Sequence, residues 1–203
     1  MKNRALSIIL AAIMLLASLS LSGCADKGGE PKATEPASSA NGEYGCSSYT
    51  ELADTAIRFA QTGDAQLIKK LFPPSEIEYQ VKRFADKGQD YFELLQQDLD
   101  GNAAAYAEKC GEDWKLSYEF TQVNEKDEAG VENYRSFDEF YFKEYGLDPA
   151  KIEAVTYIYA DVTVAGSSDS VTKQRSMWTF CYEGRWYSFY IARFGLYLIK
   201  DQG

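Results

Sequence analysis

From Ala5 to Leu21 the chain carries no charge and runs through Leu, Ile and Ala. Lys2 and Arg4 precede this run, and the small residues Ser22 and Gly23 close it before Cys24. The layout is that of a secretory signal peptide over residues 1–23, with an apolar run slightly short for a comfortable membrane span. From Ala25 to Gly45 the pattern reverses: glycine, proline, serine and charge, with almost nothing large and apolar. Such a segment cannot bury enough surface to offset its ordering entropy, so residues 24–46 read as a flexible stalk. Periodicity begins only after it, and residues 47–203 are expected to form one α+β domain.

The first half of that domain has helical spacing. Ser48 and Glu51 fit a capping box, Leu52, Ala56, Phe59 and Ala60 follow on one face, and Gly63 stops the run. Asp64 can cap a short second helix ending at Pro73-Pro74. A third helical region carries Ile77, Val81 and Phe84. Gly88 is expected to break it before Tyr91, Leu94, Leu95 and Leu99, and a last turn from Ala103 to Cys110 closes at Gly111. Glu76, Glu78 and Asp86 read as solvated helix surface.

The second half switches to a period of two. "KLSYEFTQV" alternates, with Leu116, Tyr118 and Phe120 on one side. "SFDEFYFKEYG" reads as an inserted helix capped by Ser136 and stopped by Gly146. "AVTYIYADVTV", "VTKQRSMWTFCY" and "RWYSFYI" are strands joined by turns at "GSSDS" and Glu183-Gly184. A two-residue turn at Glu183-Gly184 pairs Tyr182 with Arg185. That register puts Trp178, Phe180, Tyr187 and Phe189 on one face, and Met177, Thr179, Cys181, Trp186 and Tyr190 on the other. On the long strand, Ile158, Ala160, Val162 and Val164 form the apolar side; Tyr157, Tyr159, Asp161 and Thr163 form the mixed side. The predicted architecture is α+β, with N-terminal helices packed on a curved antiparallel sheet of about four strands.

Charge and cysteine usage narrow the function. The formal net charge of −10 becomes −12 once the signal, with its two basic residues, is removed. An acidic domain has no electrostatic footprint for nucleic acid and is repelled by anionic headgroups, so attachment to a membrane would have to come from elsewhere. "LSGC" at Leu21 to Cys24 resembles the lipobox of bacterial lipoproteins. That resemblance implies a lipid on Cys24 and export to the outer face of the bacterial cell membrane, where two acyl chains give a stable anchor. Otherwise Cys24 belongs to an uncleaved anchor or to a disulfide. The other cysteines, Cys46, Cys110 and Cys181, are odd in number, and a Cys46–Cys110 bridge stays open from spacing alone. There is no histidine, which removes the commonest general base and argues against a zinc site. No phosphate-binding glycine loop or dinucleotide fingerprint is present, and no cofactor or metal is expected.

Four segments carry a second resemblance: the opening helix ending "FAQTGDAQLIKKLFPP", then "EDWKLSYEF", "YFKEYGLDPAKIEAVTYIYADVTVAG" and the hairpin "YEGRWYSFY". They resemble the nuclear transport factor 2-like superfamily, which has a cystatin-like α+β cone, and in particular small lipoproteins of Gram-positive bacteria. The likeness spans roughly Ser47 to Ala192 and rests on fold-level motifs: a helix followed by Gly-Asp, and Gly184-Arg185-Trp186-Tyr187. It implies a curved sheet wrapped around a long helix, with a pocket between them. Tyr118, Phe120, Trp178 and Phe180 are the candidate pocket lining, with core packing as the alternative. Tyr157, Tyr159, Trp186 and Tyr190 are a candidate interface for an unidentified protein or small-molecule ligand, or for a homodimer through the sheet face. The superfamily includes enzymes working with an aspartate and a tyrosine, but no such constellation matches here residue by residue. Asp161 reads as a solvated strand aspartate. A membrane-tethered, non-enzymatic binding domain is the leading expectation; a carboxylate-and-tyrosine enzyme and a self-associating surface protein are the alternatives.

Overall fold

The computed structural model describes residues 44–137, 139–189 and 193–199. The signal segment, Cys24 and most of the stalk lie outside the described residues, as does Tyr190. Helix α1 (Tyr49–Thr62) starts where Ser48 accepts the Glu51 N–H at 3.1 Å and ends at Gly63 in the left-handed conformation. The Glu51 carboxylate reaches past Ser48 to the hydroxyl and N–H of Ser47 at 2.5 and 2.6 Å. Asp64 then caps a 3-10 turn that runs into α2 (Ile68–Leu71). Pro74 at the first helical position opens α3 (Pro74–Ala85).

Asp90 accepts two backbone N–H groups at the start of α4 (Tyr91–Cys110), a single helix rather than the two expected pieces. Past Gly101, buried Asn102 donates to the Asp98 carbonyl one turn back in the same helix at 2.8 Å and accepts the Tyr197 N–H from the distant segment at 2.9 Å. Tyr106, also buried, donates to the Gly195 carbonyl at 2.9 Å and accepts from Leu198 N–H at 3.2 Å. These bonds dock the segment 193–199, whose Phe194, Leu196 and Leu198 are sealed from solvent.

The sheet is antiparallel with strand order β1-β2-β3-β4: β1 (Lys115–Glu125), β2 (Ile152–Ala165), β3 (Ser170–Tyr182) and β4 (Arg185–Ser188). The expected turn at Glu183-Gly184 and the Tyr182–Arg185 pairing are both present. Between β1 and β2 the chain forms α5 (Glu128–Phe137) and α6 (Glu139–Glu144). The inserted helical region therefore starts earlier than Ser136. Asp127 accepts the Gly130 N–H at 2.9 Å, while Ser136 lies inside α5 and donates to the Glu132 carbonyl at 3.1 Å.

Two apolar clusters sit on opposite faces of this sheet. On the inner face, α1 and α4 pack over Ile158, Ala160, Val162, Val164 and Met177, with Leu116, Tyr118 and Phe120 at the margin. On the outer face, Val131 and Tyr134 of α5 and Tyr141 and Phe142 of α6 cover Ile152, Val155, Phe180 and Tyr187. Each fully buried large apolar side chain contributes about 1.5–3 kcal/mol.

The domain also begins earlier than Ser47. Cys46 is fully buried and exchanges two backbone hydrogen bonds with Trp186, at 3.1 and 2.9 Å, while Gly45 N–H donates to the Lys69 carbonyl at 3.3 Å. Gly45 has φ +69°, and a Cβ there would lie 2.8 Å from Arg185 and 2.9 Å from Tyr187. Only glycine fits that approach. Residues 45 and 46, expected in the stalk, thus belong to the fold.

Candidate functional site

The β2–β3 register decides which aromatics meet. The turn from Gly166 to Asp169 places Ala165 opposite Ser170, and the ladder then sets Tyr157 opposite Trp178 and Asp161 opposite Gln174. Tyr157, Tyr159 and Trp178 consequently share the outer face. The Tyr157 ring lies 4.6 Å from both Tyr159 and Trp178, and Tyr134 of α5 stacks on Trp178 at 5.7 Å with an 18° interplanar angle. Trp178 nevertheless stays 40% exposed, because α5 and α6 stop at its edge. Hydrogen bonds from Ser176 and then from Tyr159 pull the Tyr157 phenol below its ordinary value, and giving that hydrogen bond raises the Tyr159 phenol. Beyond the rings, Glu119 and Asp161 face each other across β1 and β2, both exposed, an unfavourable like-charge pair that leaves this end of the stripe negative.

This arrangement divides both expected groups of site residues. Tyr118 and Phe120 lie on the inner face. The Tyr118 hydroxyl donates to Asp54 of α1 at 2.7 Å, and its phenol is raised, first by burial and then by that aspartate. Trp178 and Phe180 lie on the outer face instead, and Phe180 is sealed beneath α6. The four cannot line one pocket. Trp186 is separated from Tyr157 and Tyr159 in turn: it packs edge-on to Tyr49 at 5.5 Å, against α1. Alternation within each strand was legible. The parity between β2 and β3 was not, because both sheet faces are apolar near β4.

Comparison with family models, with curated proteins and with solved structures returns no match. What the domain can do rests on its own geometry.

A second arrangement was missed entirely. Glu76, expected on a solvated helix face, is 6% exposed. Its carboxylate accepts from the Tyr141 hydroxyl. Burial pushes its pKa from 4.5 to about 7, opposed by the Tyr141 hydrogen bond and assisted by Glu144. Burial likewise raises the phenols of Tyr141, Tyr91 and Tyr145, the last two to about 12. Pro74 marks the helix start and so places Glu76 in its first turn, but nothing local to it announces the cover that Tyr141 of α6 provides. Asp161 is exposed, as expected of a solvated strand aspartate.

The three cysteines of the domain are free and buried. Cys46 sits beside Thr55 and the Lys70 carbonyl, Cys110 beside the Val164 carbonyl, so no Cys46–Cys110 bridge forms. Among the described residues, no group of three or more acidic or cysteine side chains could hold a metal ion, and no helix is long and apolar enough to cross a membrane.

Proposed function

We propose that this chain is a lipoprotein, exported and held at the outer face of a bacterial cell membrane by a lipid on Cys24. Its nuclear transport factor 2-like domain acts there as a non-enzymatic binding module. Support for the tether is the charged start, the apolar run and "LSGC"; the acidic domain gives no attraction to anionic headgroups that could replace it. Support for the fold family is the order of elements, helices and then a four-stranded antiparallel sheet, with Gly63-Asp64 and Gly184-Arg185-Trp186-Tyr187 serving as a helix stop and a tight hairpin.

The observation that carries the binding reading is the 40% exposed Trp178 beside Tyr157 and Tyr159, at the margin of the outer face where α5 overlaps it only through Tyr134. Aromatic rings bury large area with few rotatable bonds, which is why they serve as interface anchors. The facing carboxylates of Glu119 and Asp161 favour basic groups in whatever binds. Glu76 is sealed by Tyr141 and does not meet a substrate in this conformation, so the enzymatic alternative lacks a reachable carboxylate in the cluster with the shifted pKa. The experiment is photo-crosslinking in intact cells, with benzoylphenylalanine at position 159 or, as a control, at the position of the exposed Glu78. Adducts at 159 and none at 78 support the reading; none at 159, or the same adducts at both, count against it.

A further inference from the structure

The arm formed by α5 and α6 has two attachments. On one side it lies on the outer sheet face, where Tyr134 stacks on Trp178 at the margin of the aromatic stripe. On the other side it is tied to α3 by polar and aromatic contacts. Tyr141 donates to Glu76, Tyr79 donates to Glu144 at 2.7 Å, and Gln80 donates to the Tyr145 hydroxyl at 3.4 Å. The Tyr79 and Tyr145 rings meet edge-on at 5.1 Å. Glu76 is the one carboxylate buried in this joint. The titratable groups facing it are Tyr141, Glu144 and Tyr145 from the arm and Tyr91 from α4, with Tyr79 and Arg83 on its own helix.

We infer that the α3–α6 contact is a proton-controlled joint: with Glu76 protonated it clamps the arm over the edge of the aromatic stripe, and loss of that proton loosens the arm and uncovers Trp178. The chemistry is that of one carboxyl group. Protonated, Glu76 is neutral in an apolar surround and shares a hydrogen bond with the Tyr141 phenol. Ionised, it places a charge among buried rings and next to the Glu144 carboxylate. Burial that raises its pKa to about 7 sets where the clamp is weakest. Because Tyr134 and Tyr141 both pack on Phe189 and Phe142, movement at the joint is transmitted through one aromatic cluster to the ring that stacks on Trp178. This regulation rests on the reading of the stripe as the binding surface.

The test is amide hydrogen exchange on the full chain between pH 5 and 8, corrected for the intrinsic rate. Protection in α6 should fall by about tenfold per pH unit from pH 5 to 7 and level off above. It should also lie below the protection of α1 at every pH, as expected of a unit that opens by itself. In Glu76→Gln the α6 protection should not change with pH. Tyr141→Phe, which removes the hydrogen bond favouring the charged carboxylate, should extend the fall to higher pH, and it serves as the test if the glutamine variant does not fold. Flat protection in the wild type, an unchanged pH dependence in Glu76→Gln, or α6 opening only together with α1 would overturn the inference. Exchange needs no ligand, whereas crosslinking at position 159 is run at a single pH, so the joint and the surface can fail independently.

Discussion

Replacing Glu76 by Gln should change how stability depends on pH, because the carboxyl is buried. In the folded chain the Glu76 pKa is about 7, against an ordinary value of 4.5, with burial as the main cause. The folded state thus holds this proton more tightly than the unfolded state does. Its stabilising effect is complete below pH 4.5, declines from 4.5 to 7, and is gone above. Moving the proton's release from pH 4.5 to about 7 corresponds to about 3 kcal/mol. Glutamine is nearly isosteric, can still accept from Tyr141, and does not ionise. Glu76→Gln should therefore match the wild type at pH 4.5 and exceed it by about 3 kcal/mol at pH 8. Urea denaturation at half-unit steps of pH measures this as the difference between two curves. Contributions from Glu51, Asp113 and Asp169 cancel in that difference; hydrogen bonds hold their carboxyls low, so they lose stability only in acid. Parallel curves, or a glutamine variant less stable at pH 8, would refute the assignment of a buried, proton-holding Glu76.

Two further outcomes follow from particular residues. Cys24→Ala should leave a protein that takes up no labelled fatty acid and leaves the membrane fraction, because the proposed anchor is a lipid on that one residue. Tyr106→Phe should lower stability by about 1–3 kcal/mol in a thermal or urea melt. It strips the buried Gly195 carbonyl and Leu198 N–H of their partner and frees the segment 193–199 that closes the inner core.

Local rules were legible in the sequence where the cause is local. Ser48 caps α1, Gly63 ends it, and Glu183-Gly184 sets the Tyr182–Arg185 pairing, each through contacts within a few residues. The strands and the α+β class followed from periodicity alone. Errors arose where a distant element decides. Nothing near Gly45 announces that Arg185 and Tyr187 crowd it, so the fold starts two residues before the periodic pattern does. Trp178 and Trp186 exchanged partners because α5 and α6 make the outer face of β3 and β4 as apolar as the inner one. Glu76 looked solvated because its cover, Tyr141, lies 65 residues away.

The proposed binding role of the aromatic stripe is tested most directly by the crosslinking yield from position 159 with and without Trp178→Ala. Trp178 is partly exposed, so its loss should cost the fold well under the 3–5 kcal/mol typical of a buried tryptophan. As an interface anchor it should weaken binding by about 2 kcal/mol, roughly thirtyfold in affinity. The expected variant melts close to the wild type while adducts from position 159 largely disappear below saturation. A folded Trp178→Ala variant that crosslinks at the wild-type yield would contradict it.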